Sequence, residues 1–351
     1  MTATLDKAAP GTVNPGRILD ISWGIARTGT LTAALDLDVF THVASGACTA
    51  RDVAARCGSD VAATAILLGA LASLDLLQTA EDGADVSYSL SPDAEAYLVR
   101  DSSGYLGDLR HAHHLLSFPL WPRLAETVTS GTPAHDRFAD GDSEVWPKVT
   151  PYLDQLAELN AGWLAANLAG PLPATARVLD LGCGSGAYSR LLARASAGVQ
   201  VTAIDSAEVV EMAIRRASEA GLDGQIEGRA GDMRTVAWGE SFDLILLSNV
   251  LHGFGETDAV ALLRRAASAL APGGRIAIFE VVVDPERPLD NPVAAFFSLQ
   301  MLMMHGGRAH ALEDYCAQLK DAGFEPPVVT RSPAGPNTLL TAELDPATRR
   351  I

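Results

Sequence analysis

Basic residues are scarce in this sequence: 26 Lys and Arg stand against 43 Asp and Glu, for a formal net charge of -17 at pH 7 and a pI near 4.8. A nucleic-acid partner needs clustered cations to neutralise phosphates, so this balance argues against one and points to a small-molecule ligand. Cysteine is scarce too. The four present, Cys48, Cys57, Cys183 and Cys316, show no C-x-x-C spacing, which leaves no signature of a disulfide framework or a thiolate zinc site. No long apolar run and no amino-terminal stretch reads as a membrane span or a secretory signal. A reduced, cytoplasmic enzyme is expected. Residues 1–15 lack apolar periodicity and are expected to form a mobile tail.

The 351 residues exceed one average domain, which favours two, each with its own core. From residue 16 to about 104 the apolar residues fall at helical spacing, as with Leu31, Ala34, Leu35 and Val39, then Ile66, Leu67 and Leu71. Thr49 followed by Arg51 and Asp52 reads as a helix start. The alternation from Val86 to Leu90 reads as a short strand. Helices closed by a small hairpin make a winged-helix pattern. His42, Arg51 and Arg56 form no basic patch, so dimerisation is a better use for this segment than DNA binding. Residues 105–169, with Trp121, Trp146 and Trp163, read as a helical linker contributing to a substrate pocket. The breaker Gly170, Pro171, Leu172, Pro173 marks a boundary before a domain at 170–351. There, residues 177–180, 199–204, 242–248 and 275–283 read as strands, separated by helical stretches such as 206–220 and 256–270. Such alternation predicts an α/β, doubly wound, mainly parallel Rossmann-like sheet.

The run Asp180, Leu181, Gly182, Cys183, Gly184, Ser185, Gly186 falls where the first of these strands turns into its helix. Glycines there let a ligand approach the backbone with no Cβ in the way. Dinucleotide folds use G-x-G-x-x-G. Here the glycines alternate as G-x-G-x-G behind Asp180, which suits a cationic amino-acid moiety better than a pyrophosphate. Asp205, ending the second strand, is placed to accept both hydroxyls of a ribose. The turn Gly231, Asp232, Met233 offers an adenine a hydrogen bond from Asp232 and an apolar contact from Met233. Ser248, at the end of a later strand, is grouped with this nucleoside site. The bland reading, tight turns and surface acids, fits three converging segments poorly. For Met233 alone, core packing is an equal alternative.

With these residues in view, the chain resembles the bacterial and plant O-methyltransferase family that carries an N-terminal winged-helix dimerisation domain. The resemblance runs from about residue 16 to the end, through residues 178–186, Asn249 to His252, Leu270 to Gly274, Glu280, and Leu302 to Arg308. It implies S-adenosylmethionine as cofactor, a homodimer, His252 as the base that deprotonates a phenolic hydroxyl, and Glu280 as its assistant. The family's G-G-[RK]-E-R-T run here reads Gly306, Gly307, Arg308, Ala309, His310, Ala311. An acid that supports the base in many members is thus missing, and His305 stands just before the glycine pair.

His252 follows a strand end, and His305 lies on an apolar helix expected to roof the same crevice. Two neutral imidazoles in one pocket hold a metal ion such as iron or zinc and leave positions open for a bidentate 2-oxo acid. Polarising that carbonyl stabilises an enolate, whose C3 attacks the sulfonium methyl. The pairing resembles the small group of 2-oxo-acid C-methyltransferases from nonribosomal-peptide pathways. The leading expectation is therefore metal-dependent C-methylation of a branched-chain or aromatic 2-oxo acid in specialised-metabolite biosynthesis. Its catalytic residues are His252, His305 and Glu280, and its metal ligands His252 and His305. The alternative is metal-independent O-methylation of a phenolic or polyketide hydroxyl with His252 as general base. A third reading is an idle binding or regulatory protein. Glu280 is a third ligand, an acceptor for a histidine N–H, or a strand-end acid. Phe297, Met301 and Met304 on the apolar helix are candidate substrate contacts, as are Arg123 and Arg308 for a carboxylate. His111, His113 and His114 are read as a solvated or interhelical group.

Overall fold

The computed structural model describes residues 14–82, 85–133, 145–169, 172–284, 286, 291–333 and 335–346. Most of the expected tail, and Gly170 and Pro171 of the expected boundary, lie outside the described residues. Contacts divide the chain into two compact units, Met1–His113 and His114–Ile351.

In the first unit the helices Gly24–Asp36, Val39–Ala44, Ala50–Cys57 and Val61–Ser73 precede a hairpin of β1 (Leu77–Asp82) and β2 (Asp85–Leu90). Thr49 starts its helix through a reciprocal cap. Its hydroxyl accepts the Asp52 N–H at 3.2 Å, and the Asp52 carboxylate accepts the Thr49 N–H at 3.0 Å. Leu35, Val39, Phe40, Val53, Leu68 and Leu71 form the core beneath the hairpin. Ile18, Ile21, Trp23, Ile25 and Ile66 stay exposed, an apolar surface that the unit leaves uncovered.

The second unit is built on one sheet of β3 (Arg177–Leu181), β4 (Gln200–Asp205), β5 (Ile226–Ala230), β6 (Phe242–Ser248), β7 (Leu270–Val283), β8 (His310–Ala311), β9 (Val328–Arg331) and β10 (Asn337–Glu343). Its order is β5-β4-β3-β6-β7-β10-β9, with β8 beside the end of β7. From β3 to β7 the pairing is parallel; β10 and β9 add antiparallel strands at one edge. Side chains of β6 alternate between two cores. Ile245 and Leu247 pack on one face, and Leu244 and Leu246 on the other. Helices cover both faces, which is why these strands read as continuous apolar runs.

From β3 the chain winds outward to β4 and β5, then returns to β6 on the other side of β3. That reversal opens a crevice beyond the carboxyl ends of β3 and β6, where ligands bind in such sheets. Sequence patterning missed β5, β9 and β10. In β5 only Ile226 is buried, and Gly228 sits where a Cβ would stand 2.5 Å from Val210 Cγ1, so close helix packing replaces alternation. Among the described residues no single helix is long and apolar enough to cross a membrane.

Candidate active site

The glycine turn leaves β3 with Gly182, Gly184 and Gly186 at φ 70, 53 and 73. Gly182 is required twice over, by its left-handed backbone and by space. A Cβ there would stand 2.6 Å from Val250 Cγ2 and 3.4 Å from Met233 Cε. One glycine thus brings together the turns after β3, β5 and β6. Asp180, wholly buried, accepts the Ser189 hydroxyl at 2.6 Å. Burial pushes its carboxyl up to about 6, against the Ser189 hydrogen bond. Among the described residues no Lys or Arg pairs with it, so a cationic ligand group fits this acid. Burial also raises the Asp205 carboxyl, held down in part by the Gly184 N–H at 3.0 Å and the Ser206 N–H at 2.8 Å. These features fit the amino-acid and ribose portions of S-adenosylmethionine.

Asp232 is engaged differently from its expectation. Its carboxylate forks onto Arg234 at 2.7 to 3.0 Å, and that hydrogen bonding holds it below its ordinary value. Met233 keeps its place, with its methyl beside Gly182 and its carbonyl accepting Trp238 Nε1–H and Arg265, each at 2.9 Å. Ser248 is buried, accepts from Asn249 Nδ2–H at 3.4 Å and lies against Tyr188, whose hydroxyl burial pushes up.

Sequence reasoning also missed Asp154. From the Val145–Leu164 helix it pairs with Arg190 at 3.0 Å and Arg216 at 2.6 Å, and it accepts the Ser185 hydroxyl. Arg190 also donates to the Ser185 carbonyl at 2.7 Å, so the network braces the glycine turn from outside. The available signal was Arg190 itself, a charged residue between the buried Ser189 and Leu192.

The second part of the candidate site, His252 and Glu280, is assembled at the next strand ends. After β6 the backbone turns at Asn249, φ 53, into Val250, Leu251 and His252. Glu280, fully buried on β7, faces that turn. Its Oε1 accepts the N–H groups of Val250 at 2.6 Å, Leu251 at 2.7 Å and His252 at 3.4 Å, while Oε2 lies 2.9 Å from His252 Nδ1. Three N–H donors on one oxygen make Glu280 an acceptor at this turn. With Oε2 accepting as well, the proton between it and the ring belongs to Nδ1, which leaves the lone pair on Nε2. Of the three roles open to Glu280, the geometry is that of the histidine N–H acceptor. It also supplies support absent from Ala309.

Phe297 stands edge-on to His252, ring centroids 5.0 Å apart, and His305 stacks on it at 6.0 Å with 28° between planes. Gly307 permits this approach. A Cβ there would stand 2.1 Å from the His252 carbonyl oxygen and 2.5 Å from His305 Cε1. Arg308 N–H donates to the same carbonyl at 3.0 Å, and Gly307 N–H to His305 Nδ1 at 3.2 Å.

These rings do not make the expected metal centre. A metal lies in the ring plane along a nitrogen lone pair, and nearly parallel rings send their lone pairs side by side instead of to one point. His252 Nδ1 is committed to Glu280, and His305 Nδ1 to Gly307. Among the described residues no group of three or more His, Cys, Asp and Glu is placed to hold an ion. The expected metal is therefore not supported, and His252 and His305 come together as a stacked pair.

Of the expected substrate contacts, Phe297 reaches the base. Met301 and Met304 are buried in the Pro292–His305 helix on the same side. Arg123, about half exposed, pairs with Glu126 at 3.0 Å. Arg308 lines a cleft of about 510 Å³ with Leu299 and Leu302, on the opposite face of the helix from Phe297. His111 faces Asp108 at 3.8 Å in the first unit, and His114 stands edge-on to Phe118 in the second.

A doubly wound sheet with an acid-lined glycine turn and a carboxylate-held histidine defines an S-adenosylmethionine-dependent methyltransferase. Residues 137–325 match the O-methyltransferase domain and residues 19–100 the O-methyltransferase dimerisation domain, and the chain belongs to that O-methyltransferase family. It is 31% identical over 325 residues to the 3-hydroxy-5-methyl-1-naphthoate 3-O-methyltransferase of Streptomyces sahachiroi, covering 90% of each chain. It is 29% identical to the tetracenomycin polyketide synthesis 8-O-methyl transferase of Streptomyces glaucescens, covering 93% of this chain and 95% of that one. The crystal structure of human N-acetylserotonin methyltransferase in complex with SAM matches with a TM-score of 0.84 at 25% identity, covering 96% of this chain and 99% of that one. The two Streptomyces relatives are named for transfer to oxygen. They overturn the expected metal-dependent C-methylation of a 2-oxo acid.

Proposed function

We propose that this protein O-methylates a phenolic hydroxyl on an aromatic, polyketide-type small molecule, with His252 as general base. The observation that carries the proposal is the His252–Glu280 contact at 2.9 Å, with Glu280 also bound to the backbone of the base's own turn. S-adenosylmethionine, when bound, supplies the electrophilic methyl group. Asp180 would hold its cationic amino-acid end, Asp205 its ribose, and Gly182 and Met233 would line the space for its flat base. His252 Nε2 takes the phenol proton as the oxygen–methyl bond forms and the methyl–sulfur bond breaks, the cofactor leaving as a neutral thioether, and Glu280 stabilises the imidazolium that forms. Phe297 and His305 flank the acceptor ring beside the base, and Met301 and Met304 back that wall. An edge-on aromatic wall suits a flat acceptor.

The exposed Ile18, Ile21, Trp23, Ile25 and Ile66 support a homodimer formed through the first unit. The polyketide and naphthoate relatives support a role in specialised metabolism. The test is mass-spectrometric detection of methyl transfer to a panel of phenols and hydroxynaphthoates by the parent and by His252→Ala. Methylation by the parent and a loss of at least roughly a hundredfold in the variant supports the reading. Equal activity of the two proteins removes His252 as base.

A further inference from the structure

Near Glu280, on the face of β7 from which it projects, lies a group of buried polar side chains that methyl transfer does not use. β8 pairs in parallel with β7, Val282 opposite His310. Residues two apart on a strand share a face, so His310 projects from the same face as Glu280 and Val282. The Leu312–Asp321 helix packs over that face through Tyr315 and Leu319, against Ile276 and Ile278.

His310 is 4% exposed, Tyr315 0% and Gln318 3%. His310 and Tyr315 meet edge to face with centroids 5.4 Å apart, and His310 Nδ1 points toward Asp314, 3.9 Å away. Three polar atoms lack a closed hydrogen bond among the described residues, His310 Nε2, Tyr315 Oη and Gln318 Oε1; the His310 backbone N–H faces the Tyr315 oxygen, which leaves that hydroxyl's proton to be placed. Burying such atoms unpaired is costly, and Tyr315 stands beside the other two, in ring contact with His310 and three residues before Gln318 on the same helix. Burial and the charge of Glu280 push the Tyr315 hydroxyl up, which places that hydroxyl within the carboxylate's field. The other charged or titratable groups around these atoms are His252 from the β6 turn, Arg308 beside β8, and Asp314 on the helix.

We infer that a buried water is held by His310 Nε2, Tyr315 Oη and Gln318 Oε1 and donates to Glu280, making these three side chains positioning residues for the base. The hydrogen-bond count closes. The water accepts from Tyr315 O–H and from His310 Nε2–H, and donates to Gln318 Oε1 and to Glu280 Oε2. That gives four partners, the upper end of what an internal water takes. Glu280 Oε1 is already filled by three backbone N–H groups, so Oε2 is the oxygen with capacity left. A donor on that oxygen fixes the carboxylate plane that holds His252 Nδ1–H. The kinetic consequence rests on the O-methylation reading; the water does not.

The first arm of the test is a high-resolution crystal structure of the parent protein. An ordered water within roughly 2.7–3.2 Å of all three atoms is expected, and a dry cavity overturns the proposal. The second arm compares His310→Leu and Tyr315→Phe with His310→Gln, which restores an N–H donor, using the phenol the parent accepts. The first two are expected to lower kcat roughly fivefold with unchanged KM and cofactor affinity, the scale of one lost hydrogen bond. His310→Gln is expected to recover most of that loss. Should Tyr315→Phe not fold, Gln318→Leu takes its place. Ordered water with unchanged kcat in the deletion variants overturns the positioning role. Because the water is read in the protein alone, failure of the phenol assay and failure of this inference are distinguishable.

Discussion

Replacing Glu280 by glutamine changes one charge and almost no volume, and it should disable the base while sparing the cofactor site. In the parent, Oε1 binds three backbone N–H groups and Oε2 receives His252 Nδ1–H at 2.9 Å. In Glu280→Gln the backbone donors keep the new amide's oxygen on their side, so its NH2 group turns toward Nδ1. Two donors cannot face each other, and the imidazole proton moves to Nε2. The lone pair then points at the amide instead of the substrate hydroxyl, and the imidazolium loses its counter-charge. A histidine base held in the wrong tautomer loses roughly 10³–10⁴ in kcat. Exchanging charge-assisted backbone bonds for neutral ones costs about 1–3 kcal/mol in stability, which leaves a folded domain. The assay is steady-state methyl transfer by mass spectrometry, with cofactor affinity measured by calorimetry on the same preparation. A kcat within tenfold of the parent, at unchanged cofactor affinity, would refute the tautomer argument.

Two further outcomes follow from the geometry. Asp180 has its carboxyl raised to about 6 by burial, so its protonated form stabilises the cofactor-free fold below about pH 4, and that contribution fades as pH rises through 6. Asp180→Asn should therefore gain about 2–3 kcal/mol on the cofactor-free parent between pH 4 and pH 7 in urea unfolding; a gain on acidification instead would contradict the sign. In Gly307→Ala the new methyl meets the His252 carbonyl, 2.1 Å from its ideal position. The turn must shift, at about 1–3 kcal/mol in stability and with roughly a tenfold or greater loss of kcat. A thermal melt and turnover equal to the parent's would show that the turn has slack.

The proposed nucleoside half of the site can be read from the sequence because each of its parts is local. A glycine turn, an acid at a strand end and the Gly231–Met233 turn all follow from strand positions, and parallel topology then brings strand ends together. For the proposed base, the sequence names both His252 and Glu280 but leaves three roles open for Glu280, because only tertiary register decides which oxygen meets which nitrogen. The metal reading failed on ring direction. Two histidines placed in one crevice by topology carry no information about where their lone pairs point, and His305 stacks where chelation needs convergence. The Asp154, Arg190 and Arg216 brace joins residues from separate helices and left only a displaced charge in the sequence. Likewise β9 and β10 lie beyond the parallel repeat, so the strand–helix alternation that revealed the rest of the sheet did not extend to them.

The central claim is that this site delivers a methyl group to oxygen using a histidine base. Its most direct test is carbon-13 NMR of the product formed from S-adenosylmethionine labelled in its methyl group, with a hydroxynaphthoate acceptor and with chelator present. A labelled methoxy carbon, formed at the same rate with and without chelator, is the expected result. A label bonded to carbon, or turnover abolished by chelator, would contradict the account.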